Sequence, residues 1–174
     1  LASIFLRFSE FIAAKYAHHV ISDNIASELY LKSKYGIKSK TIAYGGDTYI
    51  FNRSDLIKSY ILFVCRIEPE NNVDTVLDAV SKSKYNGIFV GNWGSSKYGI
   101  AIRNQYDGKY GISCMDPVYD PNQLSRLRSE CSIYIHGHSA GGTNPSLVEI
   151  MFYGKEIIAY DCDFNRFTLG GYGH

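Results

Sequence analysis

The sequence predicts an α/β protein built around a doubly wound parallel sheet. Short apolar segments alternate with helical segments through residues 51–174, and the first of them, "YILFVC" at 60–65, has no polar interruption. Continuous apolar strands are typical of parallel sheets that carry helices on both faces. The five predicted strands cover residues 60–65, 87–91, 111–115, 132–136 and 156–160. Ligands bind at the carboxyl ends of such strands, so the loops that follow the strands are the expected places for a site.

A helical pattern precedes the sheet at residues 1–17. Its apolar residues recur three or four positions apart, which predicts a helix with one apolar face. These residues are Leu1, Ile4, Phe5, Phe8, Phe11 and Ile12. The simpler interpretation is that this face packs on a core. A position on a membrane surface is the alternative, although Arg7 and Lys15 supply little positive charge for it.

A strand–helix–strand unit is predicted next. The strands cover residues 19–23 and 41–44. Asp23 or Asn24 caps the helix between them, because a short side-chain oxygen there accepts from the first free amides. Gly36 ends the helix, since glycine adopts the left-handed conformation that commonly follows a last helical turn.

Helices are also predicted between the strands of the sheet. Asn71 or Asn72 caps the first of these, and residues 95–106 form the second. Asp120 and Pro121 begin the third, since aspartate favours the cap and proline the first helical position. The inward residues of the first helix are Val73, Val76, Leu77 and Val80. The buried stripe of the third helix is predicted to be Leu124, Leu127 and Cys131.

Composition excludes several classes of function. The formal net charge of +1 over 174 residues gives no electrostatic reason to expect nucleic-acid binding. The four cysteines form no C-x-x-C pair, so reduced thiols are favoured and a zinc site is not expected. No apolar run approaches 18 residues and no signal peptide is recognisable, so we expect a cytoplasmic protein.

The stretch "IHGHSAGGTNPSLVEIM" at 135–151 is the strongest candidate for a binding loop. It joins the fourth predicted strand to a helix that begins at Asn144 and Pro145. Glycines in such a loop let the backbone approach a ligand, and the first helical amides attract anions. A carboxylate one turn later, Glu149, suits sugar hydroxyls rather than phosphate. The pattern predicts a ligand with a phosphate at one end and a ribose at the other, whereas a well-capped loop without function is the alternative.

Two further features are predicted at the same edge of the sheet. Arg66 follows the first buried strand directly, where its guanidinium can grip a diphosphate. Taken alone, Arg66 is better explained as a surface arginine paired with Glu68 or Glu70, and it becomes a phosphate-binding candidate together with the anion site. The loop after the third strand, with Met115 and Val118, is a candidate wall for a nucleobase, and a turn without a binding role is the alternative.

These residues resemble a known group of enzymes. The segments "FVCRIEPENN", "VGNW", "HGHSAGGTNPSLVEIM" and "IIAYDCDFNRFT" are similar to the family-4 retaining glycosyltransferases of the two-domain GT-B fold, and among them to bacterial polysaccharide rhamnosyltransferases. The resemblance implies that residues 1–50 are the end of the N-terminal acceptor domain. It implies that residues 51–174 are a Rossmann-like donor domain, truncated at its C-terminus. The polar, irregular composition of residues 46–58 itself predicts a linker there.

The resemblance also implies roles for individual residues. Arg66 would hold the donor diphosphate, amides from Asn144 to Leu147 would meet the phosphates, and Glu149 would bind ribose. The full set implied for donor binding is Arg66, Asn71, Gly141, Gly142, Thr143, Asn144, Pro145, Ser146, Leu147 and Glu149. Such enzymes generally need neither a metal nor another cofactor, because basic groups and helix dipoles stabilise the leaving diphosphate.

Two positions depart from the family pattern. Asn71 stands where the family usually has a lysine, and Gly141 stands where it has the first of two glutamates. The diphosphate therefore loses one positive charge, and His138 is the candidate to take over contact with the donor sugar.

The implied activity is the transfer of a sugar to a lipid-linked saccharide. The similarity to rhamnosyltransferases implies that the sugar is L-rhamnose and the donor dTDP-rhamnose. A UDP-sugar is the other donor considered, and peripheral contact with the inner face of the plasma membrane is expected. Three alternatives remain open: a nucleotide-sugar epimerase of the same architecture, a nucleotide-binding module without catalysis, and a structural α/β domain that binds no nucleotide.

Overall fold

The computed structural model describes residues 2–46, 54 and 56–174, with side chains from residue 4 onward. Most of the predicted linker and the predicted boundary between residues 50 and 51 lie outside the described residues. The first part of the chain contains α1 (Ala2–Tyr16), β1 (Ile21–Ser22), α2 (Ile25–Tyr35) and β2 (Lys40–Thr41). The two short strands pair in parallel, with Ile21 opposite Lys40.

The second part alternates strands and helices. Its strands are β3 (Tyr60–Val64), β4 (Asn86–Val90), β5 (Ile112–Met115), β6 (Ile133–His136) and β7 (Glu156–Ala159). Its helices are α3 (Val73–Ser81), α4 (Lys97–Tyr106), α5 (Pro121–Glu130), α6 (Pro145–Met151) and α7 (Asp163–Leu169). Short 3₁₀ turns at Pro69–Asn71 and Trp93–Ser95 precede α3 and α4.

The central sheet has five parallel strands in the order β5-β4-β3-β6-β7. The chain builds outward from β3 through β4 to β5, then returns to the other side of β3 with β6 and β7. The direction of winding therefore reverses between β3 and β6, where Ile61 pairs with Ile133. Open α/β sheets bind ligands outside the carboxyl ends of the strands at such a reversal. The predicted doubly wound fold is confirmed.

The sheet separates two apolar layers. Successive residues of a strand point to opposite faces. Ile61 and Phe63 of β3 accordingly pack with α3 and α4, whereas Tyr60 and Leu62 pack against the layer of α6 and α7. The predicted inward face of α3 is confirmed, since Val73, Val76, Leu77 and Val80 are all buried.

Three expectations for the helices need correction. The apolar side chains of α1 do not pack on a core, because those from Ile4 to Ile12 are between 40% and 72% exposed. On α5 the buried residues are Ser125, Arg128, Ser129 and Glu130, while Leu124 and Leu127 are half-buried. Cys131, the third residue of the predicted stripe, is fully buried as expected. The helix α7 has no counterpart in the sequence prediction. No helix within residues 2–46 and 56–174 is long and apolar enough to cross a bilayer.

Candidate functional site

A cavity of about 470 Å³ opens at the carboxyl edge of the sheet, around the reversal between β3 and β6. Each neighbouring strand contributes to it through the loop that follows. The polar residues of its lining include Arg66 after β3, Asn92 and Ser95 after β4, and His138, Asn144 and Ser146 after β6. Pro117, Val118 and Tyr119 close the side beyond β5. The structure therefore brings five of the predicted site residues together at this edge: Arg66, Val118, His138, Asn144 and Ser146.

Hydrogen bonds to backbone carbonyls connect the loops after β3 and β6. The Asn72 side-chain amide donates to the carbonyl of Gly137 at 2.8 Å. The amide and hydroxyl of Ser139 both donate to the carbonyl of Glu70, at 3.2 and 2.7 Å. Position 137 must be glycine, because a Cβ there would collide with the carbonyl oxygen of Asn71. The loops after β3 and β6 are thus in direct contact at this edge of the sheet.

Arg66 presents its charge to solvent at the cavity. Its side chain is 77% exposed, and its guanidinium lies 3.8 Å from the Glu68 carboxylate. An exposed pair at that distance contributes little free energy, so it competes only weakly with a bound anion. The guanidinium remains available to a ligand that carries a diphosphate.

His138 is the most deeply placed polar residue of the lining. It is nine-tenths buried, and its Nδ1 has no hydrogen-bond partner among the described residues. Its ring stacks on that of His136, with centroids 4.3 Å apart and an angle of 17° between the planes. Burial, and then the charge of Arg66, lower the pKa of His138 to about 4. The imidazole is therefore neutral at pH 7 and can both donate and accept a hydrogen bond.

The fully buried His136 lies behind His138. Neither of its ring nitrogens has a partner within the described part of the chain. Burial, and then the neighbouring His138, lower the pKa of His136 to about 3. The pair forms a neutral, stacked block of two imidazoles below the cavity.

The amides at the start of α6 have partners within the chain. The Asn144 side chain accepts from the Ser146 amide at 3.0 Å, and the Asn144 carbonyl accepts from that of Leu147 at 3.1 Å. Asn144 therefore caps α6, as expected if this loop is simply a well-capped connection without function. Phosphate contact through the amides from Asn144 to Leu147 stays a prediction, and it requires exchange of these partners. Pro145 is exposed beside them, and the Leu147 side chain belongs to the core.

The glycine-rich segment faces the N-terminal part of the chain rather than the cavity. Gly141 has φ +124°, a conformation that favours glycine, and a Cβ at Gly142 would collide with the carboxylate of Asp23. That carboxylate accepts from the Thr143 amide at 3.2 Å. Gly141, Gly142 and Thr143 are therefore outside the cavity lining.

Glu149 is also placed away from the cavity lining. It is buried and forms an ion pair with Arg128, which is 2% exposed. Sequence patterning gave no indication of Arg128, because an arginine on an amphipathic helix is ordinarily assigned to the surface. Contact between Glu149 and a ribose stays a prediction. In the structure the Glu149 carboxylate is paired with Arg128.

Asn71 and Met115 have structural contacts in place of the predicted ligand contacts. The buried Asn71 side chain donates to the carbonyl of Arg66 at 2.7 Å and so shapes the loop after β3. The Met115 carbonyl accepts from the indole of Trp93 at 2.9 Å, and its side chain packs in the core. Neither residue lines the cavity. Asn92 and Ser95 were missed, although "VGNW" marks the end of a predicted strand at the same edge.

Comparisons with known proteins bear on the fold. No family model matches the sequence, and no curated protein matches it significantly. Among solved structures, Anabaena HepE in complex with UDP and glucose has a TM-score of 0.73 at 18% identity, covering 91% of this chain and 48% of that one. TarM has a TM-score of 0.71 at 16% identity, covering 88% of this chain and 32% of that one.

A third similar structure is sucrose-phosphate synthase from Thermosynechococcus elongatus. Its TM-score is 0.68 at 15% identity, and the match covers 88% of this chain and 43% of that one. The chain thus spans less than half the length of these three proteins. The similar structures are GT-B glycosyltransferases, and the likeness confirms that this chain has the Rossmann-like fold of one half of such enzymes.

Proposed function

We propose that this chain is the nucleotide-sugar-binding part of a glycosyltransferase. The observation that carries the proposal is the cavity at the strand reversal, which brings a solvent-facing guanidinium and a nine-tenths buried imidazole to one edge of the sheet. Similar folds in solved structures support it, since HepE was crystallised with UDP and glucose and TarM with UDP.

The arrangement suits departure of a nucleoside diphosphate from a sugar. Negative charge grows on the diphosphate as the bond to the sugar breaks, and a guanidinium placed nearby stabilises that charge. Arg66 supplies this group at the cavity. Neutral His138 can accept from a sugar hydroxyl or donate to an oxygen of the donor without adding a second charge. The apolar wall of Pro117 and Val118, with Tyr119 at its rim, offers a surface for the flat face of a base.

The finer assignments rest on the sequence resemblance. We propose a retaining family-4 enzyme that moves L-rhamnose from dTDP-rhamnose to a lipid-linked saccharide, as in the synthesis of bacterial surface polysaccharides. A UDP-sugar is the other donor, in line with the UDP named for HepE and TarM. We also propose a cytoplasmic location with peripheral contact at the inner membrane face, for which the exposed apolar side chains of α1 are suited.

Calorimetric titration tests the proposal. The 174-residue chain is titrated with dTDP, UDP and GDP and with their sugar conjugates. A preference for dTDP that strengthens when rhamnose is attached would support the rhamnosyl donor, and the same pattern with UDP would favour a UDP-sugar. Absence of binding to every nucleotide by folded protein would overturn the proposal. Release of an epimerised free sugar without acceptor would favour an epimerase instead.

The first prediction concerns Arg66. Arg66→Ala is expected to weaken binding of UDP or dTDP by about 1.5–3 kcal/mol, the usual contribution of a hydrogen bond to a charged group. The binding free energy of inorganic diphosphate should fall by a similar amount, because the guanidinium is expected to contact the diphosphate that both ligands share. Arg7→Ala, on the exposed surface of α1, is the matched control and should bind as the original chain does. Equal affinities for the Arg66 and Arg7 variants would remove Arg66 from the site.

The second prediction concerns Tyr119, which is 87% exposed at the rim of the cavity. Tyr119→Ala is expected to cost about 1–3 kcal/mol of nucleotide affinity, the scale of stacking between a base and an aromatic ring. Affinity for inorganic diphosphate should not change, because it has no base. Tyr16→Ala, at a similarly exposed tyrosine of α1, controls for loss of a surface ring. A parallel loss for nucleotide and diphosphate would argue against base stacking.

A further inference from the structure

The buried Asn24 joins the N-terminal part of the chain to the sheet domain. It is 2% exposed, and its side-chain oxygen accepts from the Ala26 amide at 2.9 Å, which caps α2. Its side-chain nitrogen points the other way and lies 3.2 Å from each of three acceptors. These are the hydroxyl of Thr143, the carbonyl of Phe164 and the hydroxyl of Thr168. Capping uses only the oxygen, so capping does not explain the contacts of the nitrogen.

Thr143 is held by this segment through three separate groups. Its hydroxyl accepts from Asn24 and donates to the backbone carbonyl of Asp23. Its amide donates to the Asp23 carboxylate at 3.2 Å. Thr143 is 6% exposed and directly precedes Asn144, which lines the cavity. The contacts therefore fix one end of the loop that carries the cavity residues after β6.

The other end of that loop is held by a second buried asparagine. Asn165 of α7 is 4% exposed, and its side-chain amide donates to the carbonyl of His138 at 2.9 Å. The same amide donates to the carbonyl of Tyr160 at 2.8 Å. Since Asn24 also contacts Phe164 and Thr168 of α7, both asparagines connect the loop to one helix.

We propose that Asn24 and Asn165 are positioning residues for the cavity, which hold the loop 138–143 at its two ends. Neither asparagine lines the cavity. They act through Thr143 and through the His138 backbone, and thereby set where His138, Asn144 and Ser146 stand. The proposal rests on the proposed function for its consequence in nucleotide binding, but the hold on the loop is a property of the chain itself.

The test variant is Asn24→Asp. Aspartate keeps the oxygen that caps α2, but it replaces the donating nitrogen by a second acceptor facing the Thr143 hydroxyl and two more oxygens. Asn104→Asp, an identical change on the exposed surface of α4, is the matched control. Thr143→Val removes the hydroxyl independently, and Thr143→Ser returns it. Binding of UDP and dTDP is measured by calorimetry, together with hydrogen exchange of the backbone amides from 138 to 144.

The expected result is about tenfold weaker nucleotide binding in folded Asn24→Asp and Thr143→Val, from loss of hydrogen bonds that fix the loop. Thr143→Ser should recover most of that loss, and Asn104→Asp should bind as the original chain does. Amide exchange in the loop should rise in the two impaired variants, while global unfolding by urea stays two-state. If Asn24→Asp does not fold, Thr143→Val and Thr143→Ser decide in its place.

Unchanged affinity and unchanged loop exchange in the folded variants would overturn the positioning role. If the original chain binds no nucleotide, the proposed function fails while hydrogen exchange still decides whether Asn24 holds the loop through Thr143. Faster exchange in the loop would then support the hold on the loop, and unaltered exchange would reject it.

Discussion

Glu149→Gln is expected to lower the free energy of unfolding by about 3 kcal/mol, the scale for breaking a buried ion pair by removing one partner. Glu149 is 8% exposed and its partner Arg128 is 2% exposed, so water cannot replace the lost carboxylate. Urea unfolding at pH 7 measures the change. Glu156→Gln, at an exposed position at the start of β7, is the matched control and should stay within about 0.5 kcal/mol of the original chain.

A loss below about 1 kcal/mol for Glu149→Gln would show that the pair contributes no more than an exposed one. The same variant bears on ligand binding. If Glu149 contacts a ribose, folded Glu149→Gln must lose more affinity for UDP or dTDP than for inorganic diphosphate. Equal losses of affinity for both ligands would leave Glu149 with the structural role that its contact with Arg128 indicates.

Acid is expected to destabilise the chain through the stacked histidines. The pKa of His136 is about 3 and that of His138 about 4 in the folded state, against about 6.5 in an unfolded chain. Between the folded-state and unfolded-state pKa values, each histidine is protonated in the unfolded chain but neutral in the folded one. The free energy of unfolding therefore falls as the pH falls below 6.5. From pH 7 to pH 5 each histidine should cost about 2 kcal/mol of unfolding free energy.

His136→Phe separates this effect from the titration of carboxylates. Phenylalanine keeps a flat ring against His138 but binds no proton, so the loss between pH 7 and pH 5 should shrink by about 2 kcal/mol. His18→Phe, which replaces an exposed histidine, is the matched control for this substitution. Parallel stability curves for the His136 variant and the original chain would contradict the assignment of acid sensitivity to this pair.

Much of the fold could be predicted because local patterns and tertiary packing agree. The apolar run of β3 and the inward stripe of α3 were readable, since a buried parallel strand leaves no polar position and an amphipathic helix repeats its apolar ones. Asn24, Asp120 and Asn144 all cap helices as their positions predicted. In each case a short-range rule decides the structure without reference to the rest of the chain.

The misses share a dependence on distant partners. Arg128 is buried because Glu149 lies on the next helix, and nothing near Arg128 in sequence shows that pairing. The apolar side chains of α1 predicted a packed face, but amphipathic spacing identifies a face without showing what covers it. Periodicity is a property of one segment, whereas burial depends on which other segments pack against it.

The same distinction holds within the candidate site. Arg66 and His138 both line the cavity, since each follows a strand end at the reversal of the sheet. Asn71 was assigned to the donor by its family position, yet its side chain bonds to the carbonyl of Arg66. Chain topology places residues at an edge, but competition among nearby hydrogen-bond partners decides which side chains face the ligand.

The strand order has a consequence during synthesis of the chain. Ile133 of β6 follows Ile61 of β3 by 72 residues, although the two strands are neighbours at the centre of the sheet. At ribosomal speeds of about 5–20 residues per second, β6 emerges roughly 4–14 s after β3. During that interval β3 offers one unpaired backbone edge to any other extended chain. The strand reversal that forms the cavity therefore also leaves a central strand open to mispairing while the rest of the chain is made.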